Sequence, residues 1–185
     1  MRELADADRI RAFMRALARA ARAAGRVYLT GGATAVLHGW RSATIDVDIK
    51  LDAGADPLLR AIPEIKESLN LNVELAAPDD FIPVKAGWAD RSPFIEQVGL
   101  LSFYHFDLYA QALAKIERGH ATDERDVTEL IDRGLVDTDQ LAAYFRAIRP
   151  DLYRFPAIDV GSFERAVTTT IEAARRRAGR TESGA

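Results

Sequence analysis

The sequence predicts an α/β (α+β) fold, in which a mixed sheet with flanking helices is followed by a helical C-terminal region. Two observations predict it. Up to Phe106, short β-branched segments alternate with segments of helical periodicity, whereas from Asp107 onward apolar residues recur only at helical spacing. The 185 residues, 48% hydrophobic and 29% charged, are enough for a hydrophobic core and are typical of a globular protein.

Composition excludes several classes of site. The chain has no cysteine, which rules out disulfides, thiolate metal sites, iron–sulfur clusters and cysteine nucleophiles. A net charge of −3 gives no general attraction for nucleic acid. No apolar run approaches the roughly 20 residues that cross a membrane, and no signal peptide is recognisable. We therefore expect a cytoplasmic protein without a membrane partner.

The N-terminal part predicts a helix, a strand and a second helix. Apolar residues on a 3.6-residue period predict an amphipathic helix over 2–25, and an apolar strand follows over 27–30. Gly31 and Gly32 then allow a sharp turn into a helix that starts at Ala33. Free amides at a helix start favour phosphate oxygens, so this turn predicts an anion site. A tight turn that needs glycine for packing alone explains the same pair.

The next strand, 44–51, carries two aspartates in phase. Because side chains alternate along a strand, Asp46 and Asp48 share one face while Val47 and Ile49 point into the core. Two neighbouring carboxylates repel each other, and a divalent cation with a phosphate behind it relieves that repulsion. The pattern indicates a metal-dependent enzyme acting on a nucleoside triphosphate. A half-exposed strand with solvated acids is the alternative interpretation.

A helix over 58–69 and a third strand over 71–76 come next. Alternation along the third strand puts Val73 inward and Glu74 on the polar face. If this strand neighbours the second one, Glu74 becomes the third carboxylate of a metal cluster. Otherwise it is an exposed strand glutamate.

The rest of the chain predicts a loop over 78–93, with a short strand at 81–84, and then two antiparallel strands around Gly99. The predicted strands are 94–98 and 101–106, and the predicted helices are 107–119, 122–133, 138–148 and 159–178. We expect three regions: a core with its N-terminal helix at 1–106, a helical region packed on that core at 107–178, and a flexible tail at 179–185.

Two blocks of this sequence resemble a known superfamily. The first block, GGATAVLHGWRSATIDVD, and the second, at 107–130, resemble the nucleotidyltransferase superfamily of the polymerase β type. The likeness is greatest to its abortive-infection toxin branch, the AbiEii-like and MenT-like proteins. The matching residues are Gly31, Gly32, Gly39, Arg41, Thr44, Asp46 and Asp48 in the first block, and Lys115, Arg118, Asp123 and Asp126 in the second.

The resemblance implies a nucleotidyltransferase fold and an activity. A Mg²⁺-dependent enzyme of this kind transfers a nucleotidyl group from an NTP, such as ATP, to a hydroxyl. The branch further implies RNA, above all tRNA, as acceptor, a toxin role, and a cognate antitoxin protein as partner. Many relatives have serine after the first glycine, where this chain has Gly32, so one hydroxyl contact to phosphate would be missing.

The resemblance also implies roles for individual residues. Metal ligands with a catalytic role would be Asp46, Asp48 and Glu74, with a carboxylate of the second block replacing Glu74 if its strand lies elsewhere. Lys115 would be a catalytic cation that neutralises the triphosphate. The nucleotide-binding residues would be Gly31, Gly32, Arg41, Thr44, Arg118 and Asp126.

Two other functions stay open on the sequence. One is a non-catalytic nucleotide-binding or protein-interaction module of the same fold. The other is a nucleotidyltransferase that modifies a small molecule, of the aminoglycoside-modifying kind.

Overall fold

A computed structural model describes residues 3–52 and 55–182 of the chain. The described residues divide into two compact units. The first unit comprises 1–77 with 89–107, and the second comprises 78–88 with 108–185. The fold is the predicted mixture of a sheet with helices followed by a helical C-terminal region.

The first unit contains a mixed sheet whose strand order is β3-β2-β1-β5-β4. Strand β1 pairs antiparallel with β2 and parallel with β5, β2 pairs parallel with β3, and β4 pairs antiparallel with β5. The central position of β1 places the turn that follows it beside β2. The strands are β1 (Gly25–Thr30), β2 (Asp46–Leu51), β3 (Asn72–Leu75), β4 (Phe94–Val98) and β5 (Leu101–His105).

Helices cover one face of this sheet. Apolar residues of α1 (Ala7–Ala20), α2 (Gly31–Leu37) and α3 (Asp56–Ser68) form one core cluster with the inward residues of the strands, such as Val47 and Ile49. The alternation of a strand then sends Asp46, Asp48 and the other in-phase residues to the opposite face. Asp46, Asp48 and Glu74 therefore lie on the face away from this core.

The second unit is helical within the described residues. Its helices are α5 (Leu108–Arg118), α6 (Ala121–Asp132), α7 (Thr138–Ile148) and α8 (Val160–Glu182). Asp137 caps α7 by accepting hydrogen bonds from the amides of Asp139 and Gln140. Phe145 and Phe163 join α7 to α8 through an edge-to-face contact, with ring centroids 5.0 Å apart.

Several element boundaries differ from the sequence prediction. The strand predicted at 81–84 is wrong. The amides of Phe81 and Ile82 both donate to the carbonyl of Pro78, which closes a turn, and Pro83 has no amide that could pair with a neighbouring strand. Helix α1 spans only Ala7–Ala20, since Asp6 caps its start and Gly25 already belongs to β1.

The C-terminal helix extends further than its apolar pattern. The predicted tail at 179–185 begins inside α8, which runs to Glu182, and its residues 183–185 lie outside the described part of the chain. The short helix α4 (Trp88–Arg91) lies within the segment predicted as a loop. Among the helices of the described part, none combines the length and the apolar character that a membrane span requires.

Candidate active site

The carboxylates predicted from strand phase lie on two adjacent strands. Asp48 of β2 stands opposite Thr30 of β1 on one side and opposite Glu74 of β3 on the other. Asp46 stands opposite Asn72 of β3. The adjacency of β2 and β3, on which the proposal of Glu74 depended, is therefore present, and three carboxylates share one face of the sheet.

An amide side chain links two of these carboxylates. The Nδ2 of Asn72 donates a hydrogen bond to Oδ1 of Asp46 and another, 3.1 Å long, to Oε1 of Glu74. Strand alternation places Asn72 on the same face as Glu74, but no pattern in the sequence predicted its role, although the spacing Asn-x-Glu on β3 repeats the two-residue phase of Asp46 and Asp48. Asn72 thus fixes the orientation of carboxylates that would otherwise repel each other.

Gly31 connects the first strand to the acids. Its φ of +59° lies in the left-handed region, and a Cβ added to it would stand 2.7 Å from Oδ2 of Asp48. Only glycine permits both this backbone conformation and this approach. The turn therefore needs Gly31 in order to admit the Asp48 carboxylate.

Gly32 is required by a second close approach. A Cβ at this position would overlap Oγ1 of Thr44, a buried residue whose hydroxyl donates to the Asp46 carbonyl at 3.1 Å. Thr44 is fixed by two backbone hydrogen bonds with Ala5. A serine could not replace Gly32 without displacing Thr44, so this turn has no place for the serine that the resemblance would put there.

The loop that carries Arg41 follows a stack of aromatic rings. The ring of His38 stacks on Trp40 and on His105, with centroids 5.3 Å and 4.4 Å away. His105 also contacts the hydroxyl of Thr34 through Nδ1 at 3.1 Å. Burial, with a smaller effect from His38, lowers the pKa of His105 to about 3, so its ring is neutral. Arg41 itself donates its amide to the Ala35 carbonyl.

The second predicted block forms an ion-pair cluster inside the helical unit. The ammonium of Lys115, a buried residue of α5, lies 2.6 Å from Oδ2 of Asp126 and 3.2 Å from Oδ1 of Asp123, both on α6. Arg118 donates to both oxygens of Asp123, at 2.7 Å and 2.6 Å. Two cations and two carboxylates therefore neutralise each other.

The electrostatics of Asp123 reflect these contacts. Burial acts to raise the pKa of Asp123, but hydrogen bonds from Arg118 and the positive charge of Lys115 outweigh it, so that pKa lies below its usual value. This cluster fastens α5 to α6. The roles implied for Lys115, Arg118 and Asp126 at a triphosphate remain predictions.

Two acids of the first unit, Asp46 and Asp48, are the candidate ligands for a Mg²⁺ ion. Within the described residues, no group of three or more His, Asp or Glu is placed so that it could hold a metal ion together, and this includes Asp46, Asp48 and Glu74. Mg²⁺ does not need one, because it binds through one or two carboxylates and takes its other ligands from water and substrate phosphates. Asp46 and Asp48 offer two oxygen ligands on one face, and the missing Cβ of Gly31 leaves room for the second of them.

Comparison with known proteins identifies a family. The family model described as "Nucleotidyltransferase of unknown function (DUF6036)" matches residues 8–156. That range includes both the acidic sheet face and the Lys115 cluster. No curated protein and no solved structure matched the chain. Since the family model matches most of the chain, the protein belongs to the DUF6036 family of nucleotidyltransferases.

Proposed function

We propose that this protein is a Mg²⁺-dependent enzyme that transfers a nucleotidyl group from an NTP to a hydroxyl acceptor. The observation that carries the proposal is the pairing of β2 with β3, which gathers Asp46, Asp48 and Glu74 on one sheet face behind the glycine turn. Phosphoryl transfer depends on positioning and charge neutralisation more than on covalent catalysis. This face supplies the positioning, because its paired strands hold the three carboxylates on one side of the sheet.

The residues of this face have distinct roles in the proposal. Asp46 and Asp48 hold the ion, which when bound neutralises the charge of the triphosphate. Asn72 orients Asp46, and Glu74 would either hold a second metal ion or accept the proton of the attacking hydroxyl. Arg41 neutralises triphosphate charge, and Thr44 holds the strand that carries the acids through its bond to the Asp46 carbonyl.

The acceptor in this proposal is RNA, with tRNA as the first candidate. The resemblance of the two sequence blocks to the abortive-infection toxin branch supports this choice, and the same resemblance supports a toxin role with a cognate antitoxin protein. ATP is the first co-substrate to test, beside the other three NTPs.

A labelling experiment tests the proposal. The purified protein is incubated with Mg²⁺, total tRNA and each of the four NTPs labelled at the α-phosphorus, and the products are separated by size. We expect label in tRNA with at least one NTP, and loss of that label in Asp46→Asn and in Asp48→Asn. Asp8→Asn, a change of an exposed acid on α1, serves as the control and should label as the wild type does.

Absence of label from RNA, protein and low-mass acceptors with every NTP would contradict the proposal. Label in a low-mass acceptor alone would instead show a small-molecule nucleotidyltransferase. The experiment thus tests separately whether a nucleotidyl group is transferred and which acceptor receives it.

The arrangement of the second block favours one further candidate, a non-catalytic nucleotide-binding module. Lys115, the cation expected to act in catalysis, lies in ion pairs with Asp123 and Asp126, so these contacts give its expected catalytic role no support and keep a non-catalytic protein of the same fold in view. Calorimetry separates the two functions. NTP binding that is insensitive to Mg²⁺ and occurs without turnover would favour the binding module over the enzyme.

A further inference from the structure

The sheet face that carries the acids also carries a row of aromatic rings. Tyr28 of β1 stands opposite Tyr104 of β5, and Tyr104 stands opposite Phe94 of β4. The ring centroids are 5.6 Å apart for Tyr28 and Tyr104, and 5.5 Å apart for Tyr104 and Phe94. Three strands therefore place three rings in contact along one line, which we call the aromatic row.

The aromatic row is exposed at one end and carries a cation. Tyr28 is buried, Tyr104 is partly exposed, and 59% of Phe94 is accessible to solvent. The guanidinium of the exposed Arg26 lies over the ring of Tyr104, 5.6 Å from its centroid. Because β4 is an edge strand of the sheet, the exposed ring of Phe94 is accessible to a binding partner.

We propose that the accessible part of the aromatic row, Phe94 and Tyr104, forms with Arg26 a stacking surface for unpaired bases of a single-stranded RNA, the strand that brings the acceptor hydroxyl. The buried Tyr28 supports Tyr104 within the sheet. This inference rests on the proposed function and adds to it a binding site for the acceptor. Sequence-tolerant binding of single strands combines aromatic rings that stack on bases with cations that attract phosphates, and both are present here.

The register of the sheet sets the distance from the row to the acids. Asp48 stands opposite Thr30, which follows Tyr28 by two residues on the same face, and Tyr104 lies one strand beyond Tyr28. Strands about 4.8 Å apart and a rise of about 3.3 Å per residue give roughly 12 Å from Asp48 to Tyr104. At about 3.4 Å per stacked nucleotide, a strand of about three or four nucleotides covers that distance.

The chemistry of the row favours RNA over a protein partner. A nucleotide matches both features of the row, because its base is flat and its phosphate is negative, whereas an apolar protein surface has no negative charge to match the cation. Lys50, opposite Tyr28 on β2, adds a second cation beside the row.

Fluorescence anisotropy of labelled oligonucleotides tests the inference without any NTP. The full chain is titrated into three probes: an eight-nucleotide oligoadenylate, an abasic strand of the same length, and an RNA duplex. We expect the oligoadenylate to bind at least about 10-fold more tightly than the abasic strand, because only the first can stack. The duplex, whose bases are already stacked in pairs, should bind no better than the abasic strand.

Variants assign the binding to the aromatic row. Phe94→Ala should weaken oligoadenylate binding by about 10-fold, whereas Phe94→Tyr, which keeps a ring, should bind the oligoadenylate as tightly as the wild type does. Tyr153→Ala removes a ring that is 79% exposed in the second unit and serves as the control, with binding unchanged. Circular dichroism and thermal unfolding confirm that each variant is folded.

Three results would overturn the inference: equal binding of the oligoadenylate and the abasic strand, an unchanged affinity in Phe94→Ala, or no RNA binding together with self-association that Phe94→Ala abolishes. The last would make the row a protein interface. Transfer of label to tRNA without these stacking effects would defeat this inference alone. Stacking without nucleotidyl transfer to any acceptor would defeat the proposed function and leave the row an RNA site.

Discussion

Gly31 and Asp48 approach each other so closely that a Cβ on the glycine would stand 2.7 Å from the Oδ2 of the aspartate. The two residues belong to different elements, since Gly31 begins α2 and Asp48 lies within β2. Their contact makes the position of the carboxylate depend on the turn after β1. The glycine turn and the acids therefore form one structural unit.

Gly31→Ala should displace the Asp48 carboxylate and so remove nucleotidyl transfer. Gly99→Ala is a matched control, because Gly99 has a φ of +56° and no atom within 4 Å of an added Cβ. Both variants should lose about 1 kcal/mol of stability from the left-handed backbone, measured by urea unfolding. Only Gly31→Ala should lose activity and weaken Mg²⁺ binding. Equal activity in the two variants would contradict the role of this contact.

Asn72→Ala should weaken Mg²⁺ binding, because the amide that orients Asp46 and Glu74 is lost. Residues that orient metal ligands typically change metal affinity by about 10- to 100-fold. The Mg²⁺ concentration for half-maximal labelling measures the effect. Gln97→Ala, which removes an exposed amide from β4, is the control. An unchanged Mg²⁺ requirement in Asn72→Ala would show that the acids need no such support.

Lys115→Met should destabilise the helical unit by about 3 to 5 kcal/mol, because it leaves two buried carboxylates without their ammonium. Arg118→Met removes a cation from the same Asp123, but its side chain is 58% exposed, and the expected loss is below about 1 kcal/mol. Urea unfolding followed by circular dichroism compares the two. A similar small loss in both would mean that Lys115 does not hold α5 to α6.

His105→Gln should reduce the loss of stability on acidification. The pKa of His105 is lowered to about 3 in the fold, so the unfolded chain binds a proton first as the pH falls below about 6.5. The contribution of this group is fully present above that pH and is lost progressively toward about pH 3.

Between pH 7 and pH 5 this protonation removes about 2 kcal/mol from the free energy of unfolding of the wild type. His105→Gln should lack that part of the pH dependence, whereas His120→Gln, a change at an exposed position, should retain it. Urea unfolding at the two pH values supplies the numbers. Identical pH dependence in the wild type and His105→Gln would show that the ring takes up a proton as readily in the fold as in the unfolded chain.

The acidic face could be predicted because it depends on a local rule. The alternation of Asp46, Val47 and Asp48 sets which side chains share a face, and no knowledge of distant residues is needed. The position of Glu74 was conditional on which strand lies beside β2. That pairing depends on the whole path of the chain, and only the structure supplied it.

Other features of the site could not be predicted from local patterns. The contacts of Lys115 with two acids on the next helix could not be read from helical periodicity, and its expected role at a triphosphate stays a prediction. The need for glycine at position 32 likewise comes from Thr44, which is distant along the chain and adjacent in space. The strand predicted at 81–84 failed because short apolar runs next to proline do not distinguish a strand from a turn.

Nucleotidyl transfer is tested by asking which phosphorus of the NTP reaches the RNA. The wild-type protein is incubated with Mg²⁺ and tRNA together with the same NTP, labelled either at the α-phosphorus or at the γ-phosphorus. We expect α-label to enter the RNA, γ-label to leave as pyrophosphate, and Asp48→Asn to transfer neither. Transfer of γ-label to the RNA, or α-labelling that persists in Asp48→Asn, would contradict this expectation.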